Sequence, residues 1–506
     1  MQDLFYIKKF KKNSNFLLSN LEMSQIDEMA THDGVPSIKL MENAGKQIAH
    51  ICSQLIKENS FKKILILCGP GNNGGDGYFA GHYLKKNCKG IDIFSETPVS
   101  NLTGDAKKAL KVFSQKIKTR LSADDINGYD MIIDAFFGAG LSRPLSKKIS
   151  NIIKWIQQAN KFVVAVDIPS GINGDTGEII GSKCFEANET ITFFNPKIGH
   201  KAFPGKKKCG KLHIVDIGLK PSHARNLTIN VKHNDPKLWK SHFPKKTWSS
   251  HKHKHGHTLI LTGEMPGAGV LASIAALRCG VGLISVICLP KYQTLFNLLA
   301  PSIIVHAEKT PMKSEHIKEN SKYDSIVFGP GALPNKVTRD ITKLILGLRK
   351  PTVLDAGAIS AFKGHQDELL GNLHNKVVMT PHQGEFKSLF PEYQKSSSLE
   401  GSLLASKKSR TILLLKGANT VISEPGGMQI LSTDPEAPHL ATAGSGDILC
   451  GIIAALISQG MDCFKAASAA SWLHAHAASS FGPGLISEDL LKQLPKTISE
   501  VIYEEK

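Results

Sequence analysis

The chain has 506 residues, 62 Lys plus Arg against 44 Asp plus Glu, and a formal net charge of +18. That length exceeds what one hydrophobic core holds, so two or three domains are expected; 41% apolar and 21% charged residues are ordinary for a globular protein. No apolar run reaches the roughly 18 residues of a membrane span, and the lysines are scattered without a nucleic-acid motif, so the excess charge reads as a solvated surface that attracts anions.

The first elements are helical. Lys8, Lys9, Lys11 and Lys12 precede the apolar run Phe16-Leu17-Leu18, which is too short for a signal-peptide core. Residues 1–20 are therefore expected to be a disordered extension. Met23, Ile26, Met29, Ile38, Met41 and Ile48 recur at three- and four-residue spacing and predict helix over 21–60. An apolar strand at 64–67 runs into a first glycine-rich cradle, Gly69-Pro-Gly-Asn-Asn-Gly-Gly-Asp-Gly77, with a helix expected over 78–86. Strands follow at 91–94, 131–134 and 162–167, the last two ending in Asp134 and Asp167. Strands alternating with helices, with polar groups at their carboxyl ends, predict a doubly wound parallel sheet whose ligand sits beyond those ends.

A polar stretch with Pro221, Asn226, Asn234, Asp235, Pro236 and Pro244 places the domain boundary near 225–250. His251-Lys-His-Lys-His-Gly-His257 contains no Cys or carboxylate, and it reads as an exposed loop, not a metal site. The second half starts again at strand 258–261, followed by the small-residue helix 266–277. Further strands are expected at 283–289, 325–328, 352–355, 377–380 and 411–416. The second cradle, Ala443-Gly-Ser-Gly-Asp447, opens a helix at 445–455, and an alanine-rich helix spans 464–480. On that last helix His474 reads as core; Trp239, Trp248 and Trp472 carry no cofactor signal. Nine cysteines, odd in number and without a C-x-x-C pair, read as reduced core thiols of a cytoplasmic protein.

Each cradle can present backbone N–H groups and a helix N-terminus to an anion. The first is neither a Walker A loop nor a dinucleotide fingerprint. Taken with Met41-Glu-Asn-Ala-Gly45, Asp134-Ala-Phe-Phe-Gly-Ala-Gly140, Val166-Asp-Ile-Pro-Ser-Gly171 and Asn195-Pro-Lys-Ile-Gly-His200, it resembles the NAD(P)H-hydrate epimerase domain over about residues 21–228. The resemblance implies a substrate of NADH or NADPH hydrated at C6 of the reduced ring, whose R and S forms are interconverted. It implies substrate contacts from Asn72, Asn73, Gly74, Gly75 and Asp76. Gly138, Ala139, Gly140, Leu141, Ser142, Arg143, Pro144 and Asp167 are implied as further contacts. Asn73, Asp134 and Ser170 would hold a potassium ion, and Asp167 is the expected proton-transfer group.

The second cradle, with Leu415-Lys-Gly-Ala-Asn-Thr420, Gly329-Pro-Gly331 and Thr380-Pro-His-Gln-Gly-Glu385, resembles the ribokinase-like superfamily. It is most similar to its ADP-dependent NAD(P)H-hydrate dehydratase branch, over about residues 245–500. The resemblance implies that Ala268, Gly331, His382 and Asp447 line the hydrate site, and that Lys416, Gly417, Ala418, Asn419, Thr420 and Gly446 contact the nucleotide. Asp447 would activate the hydrate's hydroxyl, while Mg2+ neutralises the phosphates of ADP. Ala443 and Ser445 stand where Gly and Thr are frequent, and Glu264 where a small or amide residue is usual.

The expected architecture is thus α/β in two domains, a Rossmann-like doubly wound sheet and a ribokinase-like α/β sandwich. Their bounds are 21–228 and 251–500, with 229–250 as linker. A homo-oligomer acting on small molecules, with no nucleic-acid or membrane partner, is expected. Competing readings are a small-molecule kinase with a binding module in front, and a non-catalytic interaction protein; the two cradles and retained Asp76, Asp134, Asp167 and Asp447 argue against both.

Overall fold

The computed structural model describes residues 15–86, 88, 90–113, 117–246, 248, 251–309, 315–318 and 322–503. The chain divides into two compact units between Val231 and Lys232. The first holds a seven-stranded sheet: β1 (Lys63–Cys68), β2 (Gly90–Ser95), β3 (Ile117–Lys118), β4 (Met131–Ala135), β5 (Phe162–Val166), β6 (Glu189–Phe193) and β7 (Lys211–Val215). Their order is β3-β2-β1-β4-β5-β6-β7, all neighbours parallel.

The near-continuous apolar strands reflect helices on both faces. Ile64 and Ile66 of β1 join one core with Leu40, Ile48 and Leu55 of the helix Ser37–Asn59. Leu65 and Leu67 point the other way, onto Ile149, Ile152, Ile153 and Ile156 of the helix Lys147–Gln158. That four-isoleucine stripe at helical spacing, capped by Ser146, is why this segment is helical and which face it buries.

The helix expected over 21–60 is two helices, Asn20–His32 and Ser37–Asn59. Gly34 at φ 89° turns the chain, and Pro36 restricts the residue before it. The extension expected over 1–20 is corrected from residue 16: Phe16, Leu17 and Leu18 are buried. Leu18 N–H donates to the Pro196 carbonyl at 2.9 Å, and Ser19 with Glu22 forms a capping box. Residues 1–14 lie outside the described residues.

The second unit carries a ten-stranded sheet. Its strands are β8 (Val231–His233), β9 (His257–Leu261), β10 (Leu283–Cys288), β11 (Ile304–Ala307), β12 (Ser325–Phe328), β13 (Thr352–Leu354), β14 (Val377–Met379), β15 (Ile412–Leu415), β16 (Thr420–Ser423) and β17 (Gln429–Ser432). The order is β11-β10-β9-β12-β13-β14-β15-β16-β17-β8. It is parallel through β15 and antiparallel from β15 to β17. The helix Ser445–Ser458 is apolar on nearly every side, and it is buried from Ile448 to Ser458 against the helix Pro266–Arg278 and the sheet.

The linker expected over 229–250 is corrected as well. β8 adds to the sheet edge, and Asn234 N–H donates to the Leu431 carbonyl at 2.9 Å. Trp239 is 1% exposed against Trp472 and Phe243, its indole N–H donating to Asn234 Oδ1 at 3.2 Å. A buried indole needs such a partner, and this one ties the segment into the core. The histidine run forms a short 3-10 turn, Lys252–His255, exposed from His251 to Lys254. All nine cysteines are buried and unpaired. Among the described residues no helix is long and apolar enough to cross a membrane.

Candidate active sites

In the first unit the strand order reverses between β1 and β4, which opens a crevice at their carboxyl ends. Gly69 follows β1 there, and Asp134 lies within β4 near its end. The helix expected over 78–86 starts earlier: from Asn72 on, the cradle is itself the first turn of the helix Asn72–Leu84, with Gly71 as its cap. The glycines permit this by close approach: a Cβ on Gly74 would overlap the Gly69 carbonyl, and one on Gly75 would overlap Met41 Sδ. Gly71 offers no side-chain cap, which leaves the N-terminal N–H groups of this helix without a capping side chain, as an anion site requires. Asn73 and Asp76 are buried behind that turn. Burial, then the nearby Asp167 and Asp27, push Asp76 well above the usual carboxylate range.

Asp134 is fully buried. Its carboxylate accepts from Ser170 N at 2.7 Å, Ser170 Oγ at 2.7 Å and Phe136 N at 3.2 Å. Ser170 Oγ in turn lies 3.0 Å from the Phe137 carbonyl. Burial raises Asp134 to about 7 against those hydrogen bonds, with no cationic side chain among the causes. Asn73 Nδ2 is buried without a partner. The Asp134 carboxylate, the Ser170 hydroxyl and the Phe137 carbonyl converge with no ammonium or guanidinium among them, oxygens that fit a hard monovalent cation, while Asn73 Oδ1 lies towards Gly138.

Asp167 follows β5 at φ 63°, a left-handed conformation that Asp tolerates better than most residues. Its Oδ2 accepts from Ala139 N at 2.9 Å, which brings the Gly138–Gly140 turn onto it. Its Oδ1 accepts from Lys197 Nζ at 2.8 Å and Thr192 Oγ1 at 3.1 Å. Lys197 is 2% exposed and also donates to Thr192 Oγ1 at 3.0 Å. His200 accepts from Lys197 N at Nδ1 and donates from Nε2 to the Asp167 carbonyl at 2.6 Å, which defines its tautomer. Burial is the largest influence and by itself would raise Asp167, but the Lys197 charge, His200 and the hydrogen bonds from Lys197 and Ala139 together outweigh it and hold the carboxyl down at about 2. Burial, followed by the Lys197 charge, lowers His200 to about 4. Asp27, from the helix Asn20–His32, joins this group and is raised to about 6 by burial.

Lys197, His200, Thr192 and Asp27 are the residues sequence reasoning left unassigned. Lys197 and His200 stood inside the quoted Asn195–His200 motif, which was the available signal; nothing marked Asp27. Of the expected substrate contacts, Asn72–Asp76, Gly138–Gly140 and Asp167 share this crevice. Ser142, Arg143 and Pro144 are exposed on the continuing loop, with Leu141 half-buried.

In the second unit the order reverses between β9 and β12. Met265 N–H, after β9, donates to the Gly331 carbonyl at 3.1 Å. A Cβ on Gly331 (φ 71°) would lie 3.3 Å from Ala268 Cβ, so these two expected site residues are neighbours. The helix Ser445–Ser458 runs back beneath the strands: Ser458 Oγ meets Thr258 and Ser325 at the start of β9 and β12. Its N-terminus therefore lies at their carboxyl ends. Gly444 at φ 86° makes the turn, and Ser445 Oγ donates to the Leu440 carbonyl at 2.9 Å.

Lys416, after β15, donates from Nζ to Asp355 Oδ1 at 2.8 Å, and Asp355 Oδ2 accepts from Cys450 Sγ at 3.3 Å. A Cβ on Gly446 would lie 3.4 Å from both Asp355 Oδ2 and Lys416 Nζ, so the first turn of the helix rests on this pair. Asp447 is raised to about 6 by burial, then by Asp355, with Lys416 opposing. Gly417–Thr420 forms the exposed turn into β16, where Thr420 Oγ1 donates to the Gly417 carbonyl at 2.8 Å. His382 caps the helix Gln383–Leu389, Nδ1 accepting from Gly384 N at 2.9 Å and Glu385 N at 3.2 Å. The cap holds its ring against Gly384 and Glu385, while the backbone of His382 pairs with that of Lys416, whose N–H donates to the Pro381 carbonyl. His474 is core, as expected, but lies under the cradle; burial lowers it to about 4, with the Ser445 backbone opposing. Glu264 is exposed and paired with Lys291 at 3.1 Å. Asp355, read before only as a strand end, is the residue sequence reasoning missed here.

Comparison with known proteins covers both units. Residues 37–199 match the YjeF-related protein N-terminus family, and residues 258–500 the NAD(P)H-hydrate dehydratase family. The chain is 32% identical to the bifunctional NAD(P)H-hydrate repair enzyme Nnr of Moorella thermoacetica, over 95% of this chain and 96% of that protein. The chain belongs to the bifunctional NAD(P)H-hydrate repair enzyme family. The Nnr of Thermofilum pendens is 31% identical over 93% of this chain and 94% of its own length. A crystal structure of the ADP/ATP-dependent NAD(P)H-hydrate dehydratase from Bacillus subtilis, co-crystallized with ATP/Mg2+, is 26% identical. It covers 54% of this chain and 100% of its own, with a TM-score of 0.47.

Proposed function

We propose that the first unit interconverts the R and S forms of hydrated NADH and NADPH, and that the second dehydrates the S form at the expense of ADP, giving AMP and phosphate. The observation that carries this reading is membership in a two-activity family along nearly the full chain, with a buried carboxylate set at each of two strand-end crevices.

In the first unit the Asn72–Asp76 turn binds phosphate through its N–H groups, and the Gly138–Pro144 loop borders the ring. Asp167, ionised next to Lys197, is the group that accepts a proton as the hydrated ring opens and returns it on closing. Asn73, Asp134 and Ser170 would hold potassium, which supplies a fixed positive charge beside the substrate's anionic groups.

In the second unit Asp447 takes the proton from the C6 hydroxyl as that oxygen attacks the terminal phosphoryl group of ADP. Phosphate is a far better leaving group than hydroxide; its departure from C6 together with loss of a proton from C5 restores the C5=C6 double bond of the reduced nicotinamide. Ala268, Gly331 and His382 border the hydrate; Lys416–Thr420 and Gly446 meet the nucleotide. Mg2+ would come with the phosphates and supply positive charge to neutralise them; among the described residues no group of three or more His, Cys, Asp or Glu could hold it. A cytoplasmic homo-oligomer completes the proposal, and light scattering checks the assembly. The deciding experiment mixes both hydrate epimers with the protein and either ADP or ATP. Recovery of reduced-nicotinamide absorbance, faster with ADP, is expected; an unchanged hydrate with both donors overturns the reading.

A further inference from the structure

The Asp355–Lys416 pair has the geometry of a device, not of a surface ion pair. Asp355 is 2% exposed, and its two oxygens are taken by Lys416 Nζ at 2.8 Å and Cys450 Sγ at 3.3 Å. The turn that presents it is strained: Ala356 sits at φ 45°, ψ −117°, where an L residue is rarely found, and a Cβ on Gly329 would overlap the Asp355 carbonyl. Strain of this kind persists only where surrounding packing enforces it. Lys416 carries three donors, and Asp355 is the only hydrogen-bond acceptor recorded for its ammonium among the described residues. That leaves donors to spare at the first turn of the cradle helix, beside Gly446.

We propose that Asp355 is a positioning residue of the phosphoryl-transfer step: it pins the Lys416 ammonium at the cradle so that Lys416 meets the phosphoryl group in transit. This rests on the dehydratase reading of the second unit. A free lysine would sweep a wide arc on four rotatable bonds, whereas a pinned one offers its charge without reorganisation. The groups around Asp447 are Asp355 after β13, Lys416 after β15, Cys450 one turn further along its own helix, and His474 beneath Ser445.

The test is a double-mutant cycle in the full chain, read as kcat/KM for S-hydrate with ADP across pH. K416M is expected to lose about 100- to 1000-fold and D355N about 10- to 100-fold. The double variant should be no worse than K416M, because Asp355 then has nothing to hold. In D355N the acid limb should move to lower pH, since a negative charge opposing Asp447 ionisation is gone; D355E should lower kcat with the limb unmoved. Multiplying losses in the double variant, an unmoved limb in D355N, or wild-type kcat in D355E each overturn the proposal. If D355N melts below the assay temperature, D355E alone decides. ADP affinity by calorimetry repeats the cycle without hydrate: an inactive wild type strikes the functional reading, and additive losses of ADP affinity strike Asp355.

Discussion

Asp167 and Asp447 are the same residue type at the same kind of place, the carboxyl edge of a parallel sheet, and their surroundings drive them in opposite directions. Asp167 bonds directly to the buried Lys197 ammonium and is held at about 2. In the second unit the ammonium of Lys416 is bonded to another carboxylate, Asp355, and Asp447 faces the resulting pair. Burial and the Asp355 charge then raise it to about 6. One lysine per site gives a permanently ionised base in the first case and a base poised near neutrality in the second. The partner that the lysine bonds decides which.

The sharpest way to break this comparison is to remove each carboxylate. Asp447→Ala is expected to lower dehydration by about 100- to 10,000-fold while epimer exchange continues. Asp167→Ala should do the reverse, leaving S-hydrate repaired and R-hydrate stranded. Chiral separation of the two hydrates during turnover measures both; loss of both activities in either folded variant would contradict independent sites.

Lys197→Met tests the first pair itself. It strands a buried carboxylate, so a stability loss of about 3–5 kcal/mol is expected, visible as an earlier unfolding transition together with loss of epimer exchange. A variant that stays as stable as the parent would mean that the pair is not buried as described.

The pH profiles should differ in a defined sense. Dehydration needs Asp447 ionised, so kcat/KM is expected to fall about tenfold per pH unit below about 6. Epimer exchange should not share that limb from Asp167, which stays ionised down to about 2. Asp27 is raised to about 6 in the same crevice, so the profile is compared in Asp27→Asn: a limb near 6 in both activities of that variant would erase the distinction.

Smaller effects sharpen it further. Replacing potassium by tetramethylammonium should slow epimer exchange and leave dehydration unaffected, because the potassium site proposed at Asn73, Asp134 and Ser170 belongs to the first unit. His382→Ala should cost the second unit about 1 kcal/mol through its lost helix cap, and His382→Asn should recover most of it; thermal melts of the two variants decide.

Much of this was legible along the chain, and the parts that were not have physical reasons. β1, β4 and β5 were readable because both sheet faces are covered, which makes the strands solidly apolar. β6 was not, because Glu189-Thr-Ile-Thr-Phe193 buries Thr190 and Thr192. Thr190 donates to the distant Cys209 carbonyl and Thr192 to the distant Asp167 carboxylate. β8, β11, β16 and β17 are short and lie at or near a sheet edge, where packing outweighs pattern.

The sequence by itself determined two α/β units, two glycine cradles at strand ends, and the carboxylates that carry the chemistry, because local periodicity and turn residues are properties of adjacent positions. Only the tertiary structure decided that the first cradle is a helix start, that Lys197 reaches Asp167 across 30 positions, and that Lys416 reaches Asp355 across 61. It also decided the direction of every pKa, since burial and charge pairing belong to residues that meet only when the sheet assembles.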